Sequence, residues 1–302
     1  MTAEQRLRNL SVPTHPVDVI LDTDTYNEID DQFALAYLLR SADKLHTKAI
    51  YAAPFFNERS SGPADGMEKS YEEIMKLLDL MKEELPVFRG SEAFMENEST
   101  PILSPAALDL AERANSYSPE NPLYVVAIGA ITNVASAILL NPAVAENTVV
   151  VWLGGHALHF HDTKEFNMRG DVAAARVVMQ SGVPFVQLPC RGVVSSFTVS
   201  KPELEYWLKG KNPLADYLAE NTIQQAESYA SGTAWTRCIW DVTAVAWLLT
   251  EDDRFMLSRI IPTPIPTYDY LYKEVENSPE MCYVYYIHRD KLMTDLFRKL
   301  TD

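Results

Sequence analysis

Cysteine is scarce in this chain, with three residues at 190, 238 and 282 among 302. Their wide separation and odd number exclude a disulfide framework and a zinc site, and predict buried free thiols with no redox role. Basic residues are also few, 26 against 42 acidic ones for a net charge of -16, and they form no stripe along the sequence. Such a chain repels a phosphate backbone, which argues against nucleic acid as a partner. No apolar stretch reaches the length that spans a bilayer, and the polar start Met1-Thr2-Ala3-Glu4-Gln5-Arg6 lacks the apolar core of a secretory signal. The expectation is a cytoplasmic protein that does not enter membranes. No Pro/Gly/Ser-rich linker, internal repeat or low-complexity tract divides the chain. A hydrophobic content of 47% suffices for one large core, so a single domain over residues 1–302 is expected.

What the chain does have is acid, concentrated in one place. Val19-Ile20-Leu21-Asp22-Thr23-Asp24-Thr25-Tyr26-Asn27-Glu28-Ile29-Asp30-Asp31 carries five acidic residues in ten positions directly after an apolar run. Residues 17–21 read as a buried strand, and the apolar spacing after Asp31 reads as a helix, so the acids occupy the turn between them. In an open α/β sheet such a turn lies at the carboxyl end of a strand, where ligands bind. Carboxylates crowded together there repel one another unless one takes a proton or a cation neutralises several. The crowding favours a cation.

Strand and helix signals then alternate. Strands are predicted at 48–54, 85–90, 123–128, 148–153 and 184–189, and helices at 66–84, 105–115, 133–140, 171–181, 202–208, 213–229 and 240–249. The last fifty residues, rich in Pro and Tyr, predict short antiparallel strands before a final helix near 291–300. This pattern argues for an α/β fold, a mostly parallel open sheet flanked by helices, with a small antiparallel addition near the C-terminus.

The acidic turn resembles the first motif of the nucleoside hydrolase family, also called inosine-uridine preferring nucleoside hydrolases. Four later stretches match that family in order. They are Gly129-Ala130-Ile131-Thr132-Asn133, Leu153-Gly154-Gly155, Glu165-Phe166-Asn167 with the helix from Asp171, and Trp240-Asp241 with the helix behind it. The likeness runs from about Asp18 to Leu249 and weakens beyond. It implies a nucleoside hydrolase-like fold and calcium-dependent hydrolysis of the N-glycosidic bond of ribonucleosides. It also implies a small-molecule nucleoside as the substrate and assembly of the chain as a homodimer or homotetramer.

Carried over residue by residue, the resemblance implies Ca2+ bound by Asp24, Asp31, Asp241 and the main-chain carbonyl of Thr132, with Asp24 also the general base. Asp30 and Asn167 would hold ribose hydroxyls, with Glu165 and Asp241 beside them and Asn27 and Asn57 as further substrate contacts. The chemistry is consistent, since calcium takes six to eight oxygen ligands and glycosidic cleavage passes through an oxocarbenium-like state that carboxylates stabilise.

Two departures stand out. The acidic turn is two residues longer than the family's, which predicts a bulged loop with Glu28 in solvent. Trp240 stands where many members have a histidine, and an indole cannot protonate a leaving base. A stacking role for Trp240, partnered by Phe88 or Phe94, favours purine nucleosides; core packing is the competing role. His156, His159 and His161 are expected to be structural or exposed rather than a metal triad. Two further readings compete for the whole chain. Asp22-Thr23-Asp24 also resembles the first motif of haloacid dehalogenase-like phosphatases, and a nucleoside-binding protein without turnover would use the same pocket.

Overall fold

The structure, a computed structural model, describes residues 1–301. Its strands in chain order are β1 (Val17–Thr23), β2 (Leu45–Ala52), β3 (Val87–Arg89), β4 (Leu123–Ala127), β5 (Thr148–Leu153), β6 (Phe185–Leu188), β7 (Thr198–Ser200), β8 (Thr236–Cys238), β9 (Met256–Pro262), β10 (Ile265–Pro266), β11 (Tyr272–Lys273) and β12 (Glu280–Ile287). Eight of them form one sheet in the order β3-β2-β1-β4-β5-β6-β12-β9. Every neighbouring pair is parallel except β12 with β9. A sheet covered on both faces demands apolar side chains at every position of its central strands. Val19, Ile20 and Leu21 of β1 and Val149, Val150 and Val151 of β5 are accordingly fully buried.

Helices lie on both faces, and two apolar clusters correspond to the two sides of the sheet. Helix Asp30–Leu39 is buried along nearly its whole length and packs against helix Val242–Trp247. That packing brings Asp241, at the start of the second helix, onto the acidic turn at the start of the first.

The mostly parallel α/β sheet agrees with the sequence expectation, and β10 with β11 supplies a small antiparallel pair near the C-terminus. The C-terminal segment does more than expected, because β12 pairs in parallel with β6 and β9 closes the edge. The helix expected over 240–249 is regular only at Val242–Trp247, since Trp240 and Asp241 serve as its entry. Helices Ala3–Asn9 and Phe166–Gly170 and the pair β7–β8 had no clear sequence signal. Each is too short to show a period, and each is held by tertiary contacts rather than by propensity.

Candidate active site

The order of the sheet reverses direction between β1 and β4, and the carboxyl ends of strands flanking such a point form a crevice. A cavity of about 300 Å3 opens there, reached by residues that follow β1, β4, β5 and β6. Its floor is acidic. Asp24, Asp30, Asp31 and Asp241 all line it, and none is more than 4% exposed. Carboxylate oxygens of Asp30, Asp31 and Asp241 lie within 4.8 Å of one another.

Local contacts place each acid. The Thr23 hydroxyl donates to Asp31 Oδ1 at 2.6 Å and also lies 2.8 Å from the Thr25 hydroxyl. The Asp241 backbone N–H approaches Asp30 Oδ2 at 3.4 Å, which sets the Asp30 and Asp241 carboxyls side by side. Asp24 Oδ2 is buried with no partner. Burial raises all four pKa values, and mutual repulsion adds to the effect at Asp24, Asp30 and Asp241. Asp31 is pushed up to about 6 and Asp30 to about 8. Four carboxyls that resist ionisation in one cavity are unstable as an anionic group by themselves, and a hard cation is the remedy that keeps all four charged.

Asp24 fits because residue 129 is glycine. A Cβ there would sit 3.1 Å from Asp24 Oδ1 and 3.0 Å from the Ala53 Cβ, while the Gly129 carbonyl accepts from the Trp152 indole N–H at 3.1 Å. With Asp24 as the expected general base, Gly129→Ala should displace its carboxylate and lower turnover by about 10- to 100-fold. Steady-state kinetics read the effect, and an unchanged kcat would show that Asp24 tolerates the shift.

The lengthened turn closes on itself through an Asn27 N–H to Asp24 carbonyl bond of 2.7 Å. The Glu28 side chain is 45% exposed, as expected of a loop acid, and it also pairs with Arg237 at 2.8 Å; Arg237 in turn donates to the Tyr229 hydroxyl at 3.0 Å. The loop is thereby tied to β8 and to the end of helix Pro213–Ala230. Asn27 lines the cavity, whereas Asn57 does not. Asn57 instead donates to Asn27 Oδ1 at 2.6 Å, so it orients a lining residue rather than meeting a ligand there.

Glu165 and Asn167 also line the cavity, but Glu165 is already engaged. Its carboxylate accepts from the backbone N–H groups of Gly155, Asn167 and Met168, each at 2.9 Å, and so caps helix Phe166–Gly170. Asn167 donates to the Ile128 and Leu153 carbonyls, both at 3.0 Å. With both amide hydrogens used, its side-chain oxygen is the atom left for a ligand.

Thr132 is displaced from the role that the resemblance gave it. It is the first residue of helix Thr132–Leu140, where a carbonyl points along the helix axis, and its hydroxyl donates to Asp171 Oδ2 at 2.7 Å. The residue of this turn that lines the cavity is Ile128, whose carbonyl accepts from the Asn167 amide. Neither Phe88 nor Phe94 lines the cavity; Phe166 does, together with a half-buried Trp240. Phe88 packs edge-on against Tyr51. Trp240 also touches the large apolar cluster, so one face of the residue packs while another meets the cavity. His159 and His161 are exposed, and only His156 reaches the cavity.

The model of the family described as inosine-uridine preferring nucleoside hydrolase matches residues 19–284. The chain belongs to this family. Its enzyme class is therefore N-glycosyl hydrolase acting on ribonucleosides, and the match extends past Leu249, where the motif likeness had weakened. The non-specific ribonucleoside hydrolase RihC of Salmonella paratyphi A is 26% identical over 265 residues, which cover 79% of this chain and 81% of that relative. A purine-preferring ribonucleoside hydrolase from Gardnerella vaginalis has the same fold, with a TM-score of 0.77 at 17% identity over 94% of this chain and 98% of that one. An inosine-guanosine nucleoside hydrolase gives a TM-score of 0.74 at 19% identity over the same shares.

The phosphatase reading falls with this membership and with the position of Asp22, which that reading makes the nucleophile. Its Oδ1 accepts from Asn133 at 2.8 Å, and the residue is fully buried and does not line the cavity. Asn133 holds it there while its own oxygen accepts from the Ser91 backbone and hydroxyl at 2.8 Å. Asp22, Asn133 and Ser91 thus tie β1, helix Thr132–Leu140 and the segment after β3 together behind the site.

Proposed function

We propose that the protein hydrolyses the N-glycosidic bond of purine ribonucleosides, with a calcium ion in the acidic floor. The gathering of four buried carboxyls in one crevice, with the unpartnered Asp24 Oδ2 among them, is the observation that carries the reading. The donor set is all oxygen, as calcium requires. Asp24, Asp31 and Asp241 would hold the ion with the Ile128 carbonyl, whose second lone pair is not used by Asn167. Bound there, the ion would favour ionisation of a water and orient the ribose diol.

The residues of the chain supply the rest. Asp24 takes a proton from the attacking water, for which its unpartnered oxygen and raised proton affinity suit it. Asp30 and the Asn167 oxygen accept hydrogen bonds from ribose hydroxyls, with Asn27 beside them. The surrounding carboxylates favour the positive charge that develops on the sugar as the bond to the base breaks. Trp240 offers its ring to the base, and a purine presents the larger face to it. We extend the reading to a single domain over 1–302, supported by one sheet whose strands run from residue 17 to residue 287.

Trp240→Ala is expected to lower kcat/KM for inosine about 10- to 100-fold, the range of base–aromatic stacking, and to affect uridine less. Equal losses for both, together with a large fall in Tm, would assign Trp240 to packing alone. A reducing-sugar assay over inosine, adenosine, guanosine, uridine and cytidine, with and without chelator, tests the proposal directly. Purine turnover that disappears with chelator and returns with calcium is the expected result. Turnover insensitive to chelator would overturn the metal assignment, and calcium-dependent binding without ribose release would leave a nucleoside-binding protein.

A further inference from the structure

Most of the cavity's acid, Asp24, Glu28, Asp30 and Asp31 with Asp241, comes from the turn after β1 and from the segment packed beside it; Glu165, on the segment after β5, has its carboxylate taken up by three backbone N–H groups. The opposite wall, built by the segments after β5 and β6, carries His156, Lys164, Arg169 and Arg191. Lys164, Arg169 and Arg191 form no ion pair with any carboxylate among the described residues. Lys164 lies 5.3 Å from the centre of the Tyr270 ring and Arg169 5.5 Å from that of Phe166, so both are placed by aromatic faces that leave their donors free. His156 is 5% exposed, lines the same wall, and has a buried Nδ1 with no partner. Burial and the neighbouring Arg191 hold its pKa down.

A neutral ribonucleoside uses none of this. Three cations without carboxylate partners and an unsatisfied histidine on one wall call for a compact anion with several acceptor oxygens, and phosphate has that form. An anion of this kind is repelled by the acidic floor, so it cannot lie among the carboxyls. In a ribose whose diol faces the acids and whose base faces Trp240, the substituent left to reach the other wall is the 5′ carbon.

We infer that the wall formed by His156, Lys164, Arg169 and Arg191 is a phosphate subsite and that nucleoside 5′-monophosphates are substrates. The inference rests on the hydrolase reading above and names its substrate class. In the reaction a water oxygen bonds to C1′ as the C1′–N bond breaks. The bonding pair leaves with the base, which takes a proton from solvent; Asp24 accepts the attacking water's proton and later returns it to solvent, and ribose 5-phosphate is the second product.

The test compares inosine with inosine 5′-monophosphate as substrates, and ribose with ribose 5-phosphate as ligands measured by calorimetry, all with calcium present. The variants Arg169→Ala and Arg191→Ala remove exposed side chains, so their folding is expected to be unaffected, and circular dichroism checks it. The wild type is expected to bind ribose 5-phosphate at least tenfold more tightly than ribose. Each variant should lower the ratio of kcat/KM for the monophosphate to that for inosine by about tenfold, as loss of a charge-assisted hydrogen bond does, and the double variant should lower it further. If inosine is cleaved while ribose 5-phosphate binds no better than ribose and the ratio is unmoved, the subsite is wrong and the hydrolase reading stands. If neither substrate is cleaved but ribose 5-phosphate still binds preferentially, and loses that preference in Arg191→Ala, the hydrolase reading fails and the phosphate subsite stands.

Discussion

Replacing Asp24 by alanine is expected to lower kcat for ribose release from inosine by about 10³-fold or more, near the upper range for loss of a general base. Asp24 Oδ2 is buried with no partner, Asp31 Oδ1 accepts from the Thr23 hydroxyl, and Asp30 Oδ2 meets the Asp241 backbone N–H. The proposed reading gives Asp24 the proton of the attacking water. Asp24→Asn separates the two roles assigned to this residue, because the amide keeps the volume and one oxygen but does not take the proton. Both variants should be assayed at saturating calcium, with calcium affinity measured alongside. A kcat within tenfold of wild type in Asp24→Asn, with calcium bound, would remove Asp24 as the base.

Removing divalent cations is expected to destabilise the protein, and more so at high pH. Burial raises the carboxyl of Asp22 to about 7, that of Asp30 to about 8 and that of Asp31 to about 6, from 3.8 in the unfolded chain. A group whose pKa is higher in the folded than in the unfolded state stabilises fully below the unfolded value. That contribution is lost as pH rises through the folded value. Without cation, Tm should therefore fall steadily between about pH 4 and pH 8, a window set by these shifts. The proposed calcium ion would bind the ionised floor, so the Tm gain on adding it should grow over the same range. At 100 times its Kd the gain is about 2.7 kcal/mol, or about 4 °C for a chain of this size. Thermal melts at pH 5 and pH 8, in chelator and in calcium, read the effect. A Tm in chelator that is flat or rises with pH would show that these acids are not held against ionisation.

Much of the fold could be read directly because its signals are local. The parallel sheet is announced by continuous apolar runs such as 148–153, which only a strand buried on both faces needs. The helices at 66–84 and 213–229 show their period over many residues. The acidic turn is equally local, since β1, the turn and the helix from Asp30 follow one another without interruption. Its partner Asp241 was found by motif, and the structure supplies the cause in the packing of helix Val242–Trp247 on helix Asp30–Leu39.

Other features depend on groups remote in sequence. Glu28 reads as a solvated loop acid, and only the fold brings Arg237 of β8 to it from more than two hundred positions away. Glu165 reads as a ligand group until its three backbone partners are seen. Thr132 and Ile128 sit four residues apart on one turn, and only the start of the helix decides which of them lines the cavity.

The sequence by itself determined the α/β class, the crowding of acid at the end of β1 and the family, because each is written in contiguous residues. Tertiary structure alone decided the opposite wall. Its cations are scattered through a chain of net charge -16 and form no stripe. Lys164, Arg169 and Arg191 line one cavity because parallel pairing sets β5 beside β6 and opens both following segments at the same edge of the sheet.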